Sequence, residues 1–373
     1  MGAKNAAGAV GLAEGAVCQR VFVTVDGIAN GDARNAFGES VAVQRGSDAT
    51  ALVRDAARAA GQGERVAVVA RASELASARK ELEAIAAQRL GVVVHAFVEG
   101  PENGMAAALS LGDLPWGMLV AAGVGESLDL ALVAHRAAED SGCPFFVVHE
   151  LGPSMRAEEI PAPTSGVCEA FLGGARPVAS QGGDARAVAA RVPFALGSAM
   201  RELDTLTVRR HDVLLRKPNA DAHVALVGIG ATAETMLDEV ERLRAMGHDV
   251  TAVRLVAWRP FPGPRLVKAL CRSLAVTVLE PVDRPLAVSS PLAAELKAAF
   301  ADALTWAPDY PGIGRIPRIA SGAIAPGRGL AAADVDAIVH NMLADERGKR
   351  SFVLGGPDSH TLPPPVAPAR TGT

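Results

Sequence analysis

Short apolar segments alternate with longer amphipathic segments along most of the chain, a pattern typical of parallel strands joined by helices. The clearest unit begins with the apolar run VALVGIG at 224–230, continues with helical spacing of apolar residues over 235–246, and ends with an apolar strand over 250–256. Gly247 lies between helix and second strand, where a helix C-terminal cap favours positive φ. This β-α-β unit favours a parallel sheet.

The same alternation predicts an α/β fold of two parallel-sheet domains, each covered by helices. A first domain should occupy residues 1–162 and a second residues 222–345, separated by an inter-domain excursion (163–221) and followed by an extended Pro-rich tail (346–373). The further predicted elements are strands over 21–25, 41–44, 66–70, 92–97, 118–122, 145–149, 276–279 and 316–320, and helices over 48–60, 73–88, 126–140, 187–206, 265–272, 291–303 and 333–343.

Composition narrows the class of protein. The 373 residues are enough for two or three domains, and 49% hydrophobic with 21% charged residues is typical of a globular protein. A net charge of −4, without a basic stripe, argues against nucleic-acid binding. No apolar run reaches the length of a membrane span, so we expect a soluble, cytoplasmic protein.

The four cysteines, Cys18, Cys143, Cys168 and Cys271, are scattered without a Cys-x-x-Cys pair. This spacing argues against an iron–sulfur cluster, a zinc site or a disulfide framework within the chain.

Several residues invite a functional interpretation but have a simpler structural one. Gly228-x-Gly230 lacks the third glycine and ribose-binding acid of a dinucleotide site, so a structural turn is the better interpretation. His135 and His149 fall on a predicted helix and strand and favour ordinary core or surface roles. The pair Glu158-Glu159 is interpreted as solvated surface.

The stretch that follows the β-α-β unit of residues 224–256 is the most distinctive of the chain. Its sequence is Trp258-Arg259-Pro260-Phe261-Pro262. The prolines should stop the strand and begin a turn. Trp258 and Phe261 are expected to pack at a domain contact, whereas Arg259 could meet a partner or a ligand phosphate.

Residues 224–262 are similar to the transketolase-C-terminal-like domain of the 2-oxoacid:ferredoxin oxidoreductase family, to which pyruvate:ferredoxin oxidoreductase belongs. In that family a Gly-x-Gly unit leads to a strand that ends in an Arg-Pro-Phe-Pro-like turn. The resemblance continues through VTVLEPVDRPLA and GKRSFVLGGPD, while residues 112–150 resemble the second half of the family's pyrimidine-binding domain. It implies an α-subunit-like chain with a thiamine-diphosphate-binding-like (pyrimidine-type) domain first.

The resemblance also implies that the thiamine site is degenerate. The family's activating Glu corresponds to Asp48, one methylene shorter, which is therefore the candidate cofactor-binding residue for the thiamine pyrimidine. The family's Thr-containing loop corresponds to 23–27, its Thr-Ser-Gly-Pro-Gly loop to 70–74 without either glycine, and its substrate-facing Arg to Val98. We expect Asp48 and Val98 to line one cleft of the first domain. Asp48 is otherwise simply an acid at the start of a helix.

Thiamine enzymes bind the diphosphate and its metal through a Gly-Asp-Gly motif, and Asn30-Gly31-Asp32 does not match it. The family also carries electrons through cysteine-ligated clusters. Thiamine diphosphate, Mg and iron–sulfur clusters would therefore reside in partner chains, namely other oxidoreductase subunits, in a homodimer or larger complex.

Three hypotheses follow: an α-type subunit that still supports thiamine chemistry, a non-catalytic descendant (a pseudoenzyme) that serves as a structural or docking subunit, and a stand-alone protein that binds a small ligand. The altered loops favour the second over the first.

Overall fold

The protein is described here by a computed structural model. It describes residues 2–26, 28, 34–99, 104–151, 158–177, 184–219, 222–282, 286–325, 328–344, 347–355 and 362. The Asn30-Gly31-Asp32 motif and most of the Pro-rich tail therefore lie outside the described residues.

The strands agree with the predicted alternation, and each bears its number in chain order. They are β1 (Gly2–Ala3), β2 (Arg20–Val23), β3 (Ala42–Arg45), β4 (Val66–Arg71), β5 (Val93–Glu99), β6 (Gly117–Ala121), β7 (Phe145–Leu151), β8 (Ile160–Pro161), β9 (Leu214–Lys217), β10 (Val224–Ile229), β11 (Val250–Leu255), β12 (Ala257–Arg259), β13 (Ala275–Glu280), β14 (Arg318–Ile324) and β15 (Ser351–Leu354).

The helices follow the same order. They are α1 (Ala6–Val17), α2 (Ala49–Gly61), α3 (Ala72–Leu75), α4 (Arg79–Gln88), α5 (Gly104–Ser110), α6 (Val124–Ser141), α7 (Ser165–Leu172), α8 (Ala185–Thr207), α9 (Ala231–Ala245), α10 (Gly263–Leu270), α11 (Pro291–Leu304) and α12 (Ala332–Leu343). The helix predicted over 73–88 is divided into α3, a short 3-10 turn and α4.

The chain divides into two compact units, Met1–Leu214 with Leu255–Pro262, and Leu215–Arg254 with Gly263–Thr373. The first is built on a seven-stranded sheet of order β12-β6-β7-β5-β4-β2-β3, whose strands are parallel except for the antiparallel pair β12–β6. A short antiparallel pair, β1–β8, stands beside it. Helix α2 explains the amphipathic pattern: Leu52, Val53 and Ala56 are buried, while Arg54 and Arg58 are exposed.

The second unit contains a six-stranded sheet of order β15-β14-β13-β10-β11-β9. The pairs β10–β13, β13–β14 and β14–β15 are parallel. Strands β10 and β13 are buried at every position, which accounts for their continuous apolar sequences. The predicted fold class, an α/β protein with two parallel-dominated sheets, is confirmed.

Glycines of the β-α-β unit (residues 224–256) have the structural roles expected of them. Gly230 has φ of +71° and Gly247 has φ of +87°. A Cβ atom on Gly228 would lie 3.0 Å from the Cβ of Ala233, so the glycine permits close approach of strand and helix.

The compact units differ from the predicted domain boundaries. Residues 163–214, predicted as an excursion, fall in the first unit, where α8 packs against α6. A 23-residue helix with an apolar face has a surface to bury, and the Pro- and Gly-rich composition around it obscured that face. Residues 351–354, assigned to the tail, form the edge strand β15.

The WRPFP stretch belongs to the first unit. It opens with β12, which pairs with β6, so a strand precedes Pro260 as predicted, but it is a new strand after β11. The indole of Trp258 is buried and lies where a Cβ atom on Gly112 would come within 2.4 Å of its Nε1. Arg259 stacks on Trp258, with its guanidinium 4.6 Å from the ring centre, and donates from Nε to the Gly112 carbonyl at 3.0 Å.

Among the described residues, no helix is long and apolar enough to cross a membrane.

Candidate functional site

The predicted site residues lie at or after the carboxyl ends of strands in the first sheet. Strands β2, β3, β4 and β5 are mutually parallel, so their carboxyl ends lie on the same side. Thr24 follows β2, Asp48 follows β3, Glu74 follows β4, and Val98 is the second-to-last residue of β5. Ligands of open α/β sheets bind outside this edge. We call Thr24, Asp48, Arg71, Glu74 and Val98 the carboxyl-edge residues.

The loops that follow β2 and β4 bond to each other. The Thr24 hydroxyl donates to Glu74 Oε2 at 2.6 Å. Arg71 donates from Nη1 to Glu74 Oε1 at 3.0 Å and from its backbone N–H to Oε2 at 3.3 Å. Partial burial raises the pKa of Glu74, but the hydrogen bonds from Thr24 and Arg71 outweigh it and leave the pKa lowered.

Asp48 acts as the N-cap of α2. Its Oδ1 accepts a hydrogen bond from the Thr50 backbone N–H at 2.9 Å, and the residue is exposed. An N-cap aspartate satisfies one of the backbone donors that a helix start leaves open. The geometry therefore agrees with the interpretation of Asp48 as an acid at the start of a helix.

Val98 is 8% exposed and lies opposite Glu150 of β7. Strands β4 and β2 separate its strand from β3, after which Asp48 follows. The two residues share one edge of the sheet, and that they line a single cleft stays a prediction. Cavities of about 320 and 280 Å³ in this unit are lined by other residues.

The carboxyl-edge residues do not fit thiamine diphosphate. The carboxylate that activates an aminopyrimidine must point into a closed cleft, whereas that of Asp48 is exposed and caps a helix. The Thr24 hydroxyl is committed to Glu74, and Val98 offers no polar atom. We therefore assign no step of thiamine chemistry to these side chains.

A second polar arrangement lies in the core of the same unit and is not among the sites predicted from the sequence. Glu14 of α1 is 1% exposed and accepts from His95 Nε2 at 2.7 Å on Oε1 and from His135 Nε2 at 2.8 Å on Oε2. The thiol of Cys18 also donates to Oε2, at 2.9 Å. A buried carboxylate thus receives three donors, as a buried charge requires.

A chain of hydrogen bonds supports Glu14 from behind. His95, which donates to Glu14 from Nε2, has its Nδ1 at 2.9 Å from His149 Nε2. His149 Nδ1 lies in turn 3.0 Å from Ser127 Oγ, so three buried side chains stand in line behind the carboxylate.

Burial and the neighbouring side chains shift the pKa values of three groups in this core. Burial alone would raise the pKa of Glu14, but His135 and His95 hold that pKa well below its usual range. Burial, and then the charge of His95, lower the pKa of His149 well below its ordinary value. Burial and the neighbouring Glu14 raise the pKa of the Cys18 thiol, which stays protonated.

His135 and His149 were predicted to have ordinary roles in the core or at the surface. Both are fully buried, so they belong to the core. Their connection to Glu14 depends on strand order and helix packing, which a single sequence does not disclose. The only local signal was the spacing of Glu14 and Cys18, four residues apart and so on one face of a helical turn. Glu158, interpreted as solvated surface, is exposed but accepts the Gly125 backbone N–H at 2.7 Å.

Comparison with solved structures defines the class of fold. The chain is similar to 2-oxoglutarate:ferredoxin oxidoreductase from Magnetococcus marinus, solved with 2-oxoglutarate, coenzyme A and succinyl-CoA bound (TM-score 0.59, 15% identity, 88% of this chain and 63% of that chain). It is also similar to a split-gene transketolase described as an inactive β4 tetramer (TM-score 0.56, 16% identity, 91% of this chain and 97% of that chain). The fold is that of oxidoreductase and transketolase domains of this kind.

Sequence comparison supports the resemblance to a family. Residues 222–315 match the family described as pyruvate:ferredoxin oxidoreductase core domain II. The pyruvate-flavodoxin oxidoreductase of Enterobacter agglomerans is 27% identical over 172 residues, which are 46% of this chain and 14% of that protein's length. The predicted resemblance to the 2-oxoacid:ferredoxin oxidoreductase family is confirmed, for a chain that matches about one-seventh of this relative.

Proposed function

We propose that this chain is a non-catalytic, partner-dependent subunit of a cytoplasmic 2-oxoacid:ferredoxin oxidoreductase-like complex of the pyruvate type. Its first unit is a pyrimidine-type domain with a degenerate thiamine site, and its second is a transketolase-C-terminal-like domain. The observation that carries the proposal is the bond from Thr24 to Glu74, because it joins side chains of two loops that the resemblance aligns with loops of the family's thiamine site.

The remaining carboxyl-edge geometry supports the same conclusion. Asp48, the candidate for the thiamine pyrimidine, is engaged with Thr50 as a helix cap, and Val98 replaces a substrate-facing Arg. Polar groups that satisfy one another stabilise a fold without presenting donors or acceptors to a ligand.

Partner chains would supply the redox chemistry. A cluster of four-cysteine type needs its ligands in one place. Here Cys18 follows α1, Cys143 precedes β7, Cys168 is in α7, and Cys271 follows α10 in the other unit. Thiamine diphosphate with Mg, and the iron–sulfur clusters, would therefore be held by other oxidoreductase subunits in a homodimer or larger complex. The likeness to an inactive transketolase β4 tetramer supports a chain that assembles and is inactive by itself.

The test compares the isolated chain with the complex. A tagged chain expressed from its own locus is purified, the accompanying chains are identified by mass spectrometry, and binding of thiamine diphosphate with Mg is measured by calorimetry. We expect no binding by the isolated chain. The complex should contain a chain with a Gly-Asp-Gly motif and should bind the cofactor.

Two matched variants separate cofactor binding from helix capping. Asp48→Ala removes the cap of α2, and Asp184→Ala removes the same kind of cap from α8, where Asp184 Oδ1 accepts the Ala187 N–H at 2.8 Å. Both complexes should bind the cofactor as the unaltered one does. Cofactor binding by the isolated chain, or its loss from the complex in Asp48→Ala alone, would restore the catalytic hypothesis. A chain that purifies without partners and without cofactor would favour the stand-alone alternative.

A further inference from the structure

Three side chains of different chemistry converge in the core of the first unit. Glu14 and Cys18 lie four residues apart at the end of α1, and His135 comes from the middle of α6. One carboxylate oxygen, one sulfur and one imidazole nitrogen all lie within 4.8 Å of one another. We call Glu14, Cys18 and His135 the helix-end triad.

The separations within the helix-end triad approach those of a tetrahedral metal site. Bonds of 2.0–2.3 Å at tetrahedral angles place neighbouring ligand atoms roughly 3.3–3.6 Å apart. Cys18 Sγ lies 3.6 Å from His135 Nε2, which meets that spacing. Glu14 Oε2 lies 2.9 Å from the sulfur and 2.8 Å from the nitrogen, distances of hydrogen bonds. Opening the site requires this one oxygen to withdraw by about 0.5 Å.

The charge of the triad suits a divalent ion. A carboxylate and a thiolate supply two negative charges and the imidazole none, so the complex with a divalent ion is neutral. Neutrality matters because Glu14, Cys18 and His135 are each at most 1% exposed, and an uncompensated charge there would be costly. On binding, the thiol proton leaves to solvent, and the ring proton of His135 moves from Nε2 to Nδ1.

The surroundings position the ligands. Glu14 Oε1 stays bonded to His95, which is held in turn by His149 and Ser127, as carboxylates that bind metals are commonly supported by further hydrogen bonds. His135 Nδ1 has no hydrogen-bond partner among the described residues, so the ring is anchored only through Nε2, on the side of Glu14 and Cys18.

A cavity of about 320 Å³ lies on the Glu14 side of the triad. Glu14 lines it together with Gly11, Gly15, Asn35 and Ser165. A water from this cavity can complete the fourth position that three protein ligands leave open.

We propose that Glu14, Cys18 and His135 bind one divalent ion of the zinc class, with water as the fourth ligand and His95 orienting Glu14. One thiolate, one imidazole and one carboxylate form a set suited to zinc rather than to magnesium or calcium, which prefer oxygen ligands alone. The absence of a Cys-x-x-Cys pair does not bear on this site, because its ligands come from two helices.

The test uses the full chain after treatment with a chelator. Cobalt is titrated in as a spectroscopic substitute for zinc, and the thiolate-to-cobalt charge-transfer band and the tetrahedral visible bands are recorded. Zinc is then added in competition. We expect one equivalent of cobalt with a thiolate band, displaced by one equivalent of zinc.

The variants identify the ligands. Cys18→Ser keeps a hydroxyl that can donate to Glu14 but removes the thiolate, so the charge-transfer band should vanish. His95→Gln should retain the band and weaken zinc binding by about 10–100-fold, the range for residues that orient a ligand. Cys168→Ala is the matched control, since Cys168 is a buried thiol outside the triad, and it should bind as the unaltered chain does.

Circular dichroism verifies that each variant is folded. Absence of cobalt and zinc binding by the unaltered chain would overturn the proposal. So would a thiolate band that survives in Cys18→Ser, because the ion would then be bound adventitiously elsewhere.

Discussion

Thr24 Oγ1 lies 2.6 Å from Glu74 Oε2, and this single hydrogen bond joins the loops that follow the neighbouring strands β2 and β4. Arg71 adds two further bonds to the same carboxylate. The carboxyl edge of the sheet, where a ligand of this fold class would bind, is stabilised here by contacts within the protein.

Removing the charge of Glu74 should destabilise the first unit modestly. In Glu74→Gln the charge-assisted bonds become neutral ones, and since the side chain is 30% exposed we expect a loss of only about 1 kcal/mol in the free energy of unfolding. Because the pKa of Glu74 is lowered in the folded protein, its contribution is present above the ordinary carboxyl pKa and disappears as the pH falls through the folded pKa.

Urea unfolding at pH 7 and at about pH 3 measures both effects. Glu83→Gln is the control, because Glu83 is 54% exposed in a simple helix ion pair with Arg79. An equal loss in both variants, or a loss in Glu74→Gln that does not shrink in acid, would contradict this account of Glu74.

Glu14→Gln should be far more damaging. The carboxylate accepts from three buried donors, and the amide nitrogen of Gln can accept from none, so we expect a loss of about 3 kcal/mol or more in the free energy of unfolding. Denaturant unfolding gives the change, and Glu64→Gln is the control, since Glu64 pairs with the more exposed Arg20.

A double-mutant cycle separates the pair from the rest of the network. If Glu14→Gln and His95→Gln are combined, the loss should be clearly smaller than the sum of the two single losses, because each single substitution already breaks the bond between the two side chains. Strict additivity would mean that this bond contributes no coupling energy.

Two histidines should give the stability of the first unit opposite dependences on pH. The pKa of His149 is lowered by burial and by His95, so the folded state excludes a proton that the unfolded state binds below about pH 6.5. Stability from this group is present above that pH and is lost as the pH falls. The pKa of His211 is shifted in the opposite direction. Burial opposes its positive charge, but Asp129 at 2.9 Å and Asp204 at 2.7 Å outweigh burial and raise the pKa.

The stability that His211 contributes is therefore present below about pH 6.5 and is lost as the pH rises through its folded pKa. Unfolding free energies from pH 5 to pH 8 test this with two variants. His149→Gln should flatten the acid side and His211→Gln the alkaline side, each by up to about 1.4 kcal/mol per pH unit. Unchanged slopes would show that these rings have the same protonation folded and unfolded.

The sequence predicted those parts of the fold that local pattern controls. Asp48 was expected in the first turn of a helix and is its N-cap, because an acceptor before an amphipathic run is a local signal. Gly247 was expected at positive φ for a similar local reason. Continuous apolar runs such as β10 and β13 identified buried parallel strands.

Features that depend on the order of strands were not predictable in this way. His95 and His149 sit in neighbouring strands β5 and β7, and only that pairing brings His149 Nε2 to His95 and, through it, to Glu14. The carboxyl-edge bond from Thr24 to Glu74 likewise requires β2 beside β4. Resemblance aligned the two loops with those of a family, but it did not indicate that they bond to each other.

Glu280 should stabilise the first turn of helix α11 in the second unit. The side chain is fully buried at the end of β13 and accepts from the backbone N–H groups of Leu292 at 2.8 Å and Ala293 at 3.2 Å. The Ser290 hydroxyl donates to the same carboxylate. A glutamate from a neighbouring strand thus replaces the usual N-cap side chain, since Ser290, the N-cap residue, makes no capping bond of its own.

Glu280→Ala should leave these buried donors without an acceptor and cost about 3 kcal/mol. Hydrogen exchange followed by mass spectrometry is the appropriate measurement, because it reports α11 separately from the rest of a two-unit chain. Amides over 291–304 should exchange at least tenfold faster, while those of α2 should not change. Glu241→Ala, at a side chain that is 61% exposed, is the control and should leave α11 protected. If α11 stays equally protected in Glu280→Ala, its start is fixed by packing of its apolar face and not by the buried carboxylate.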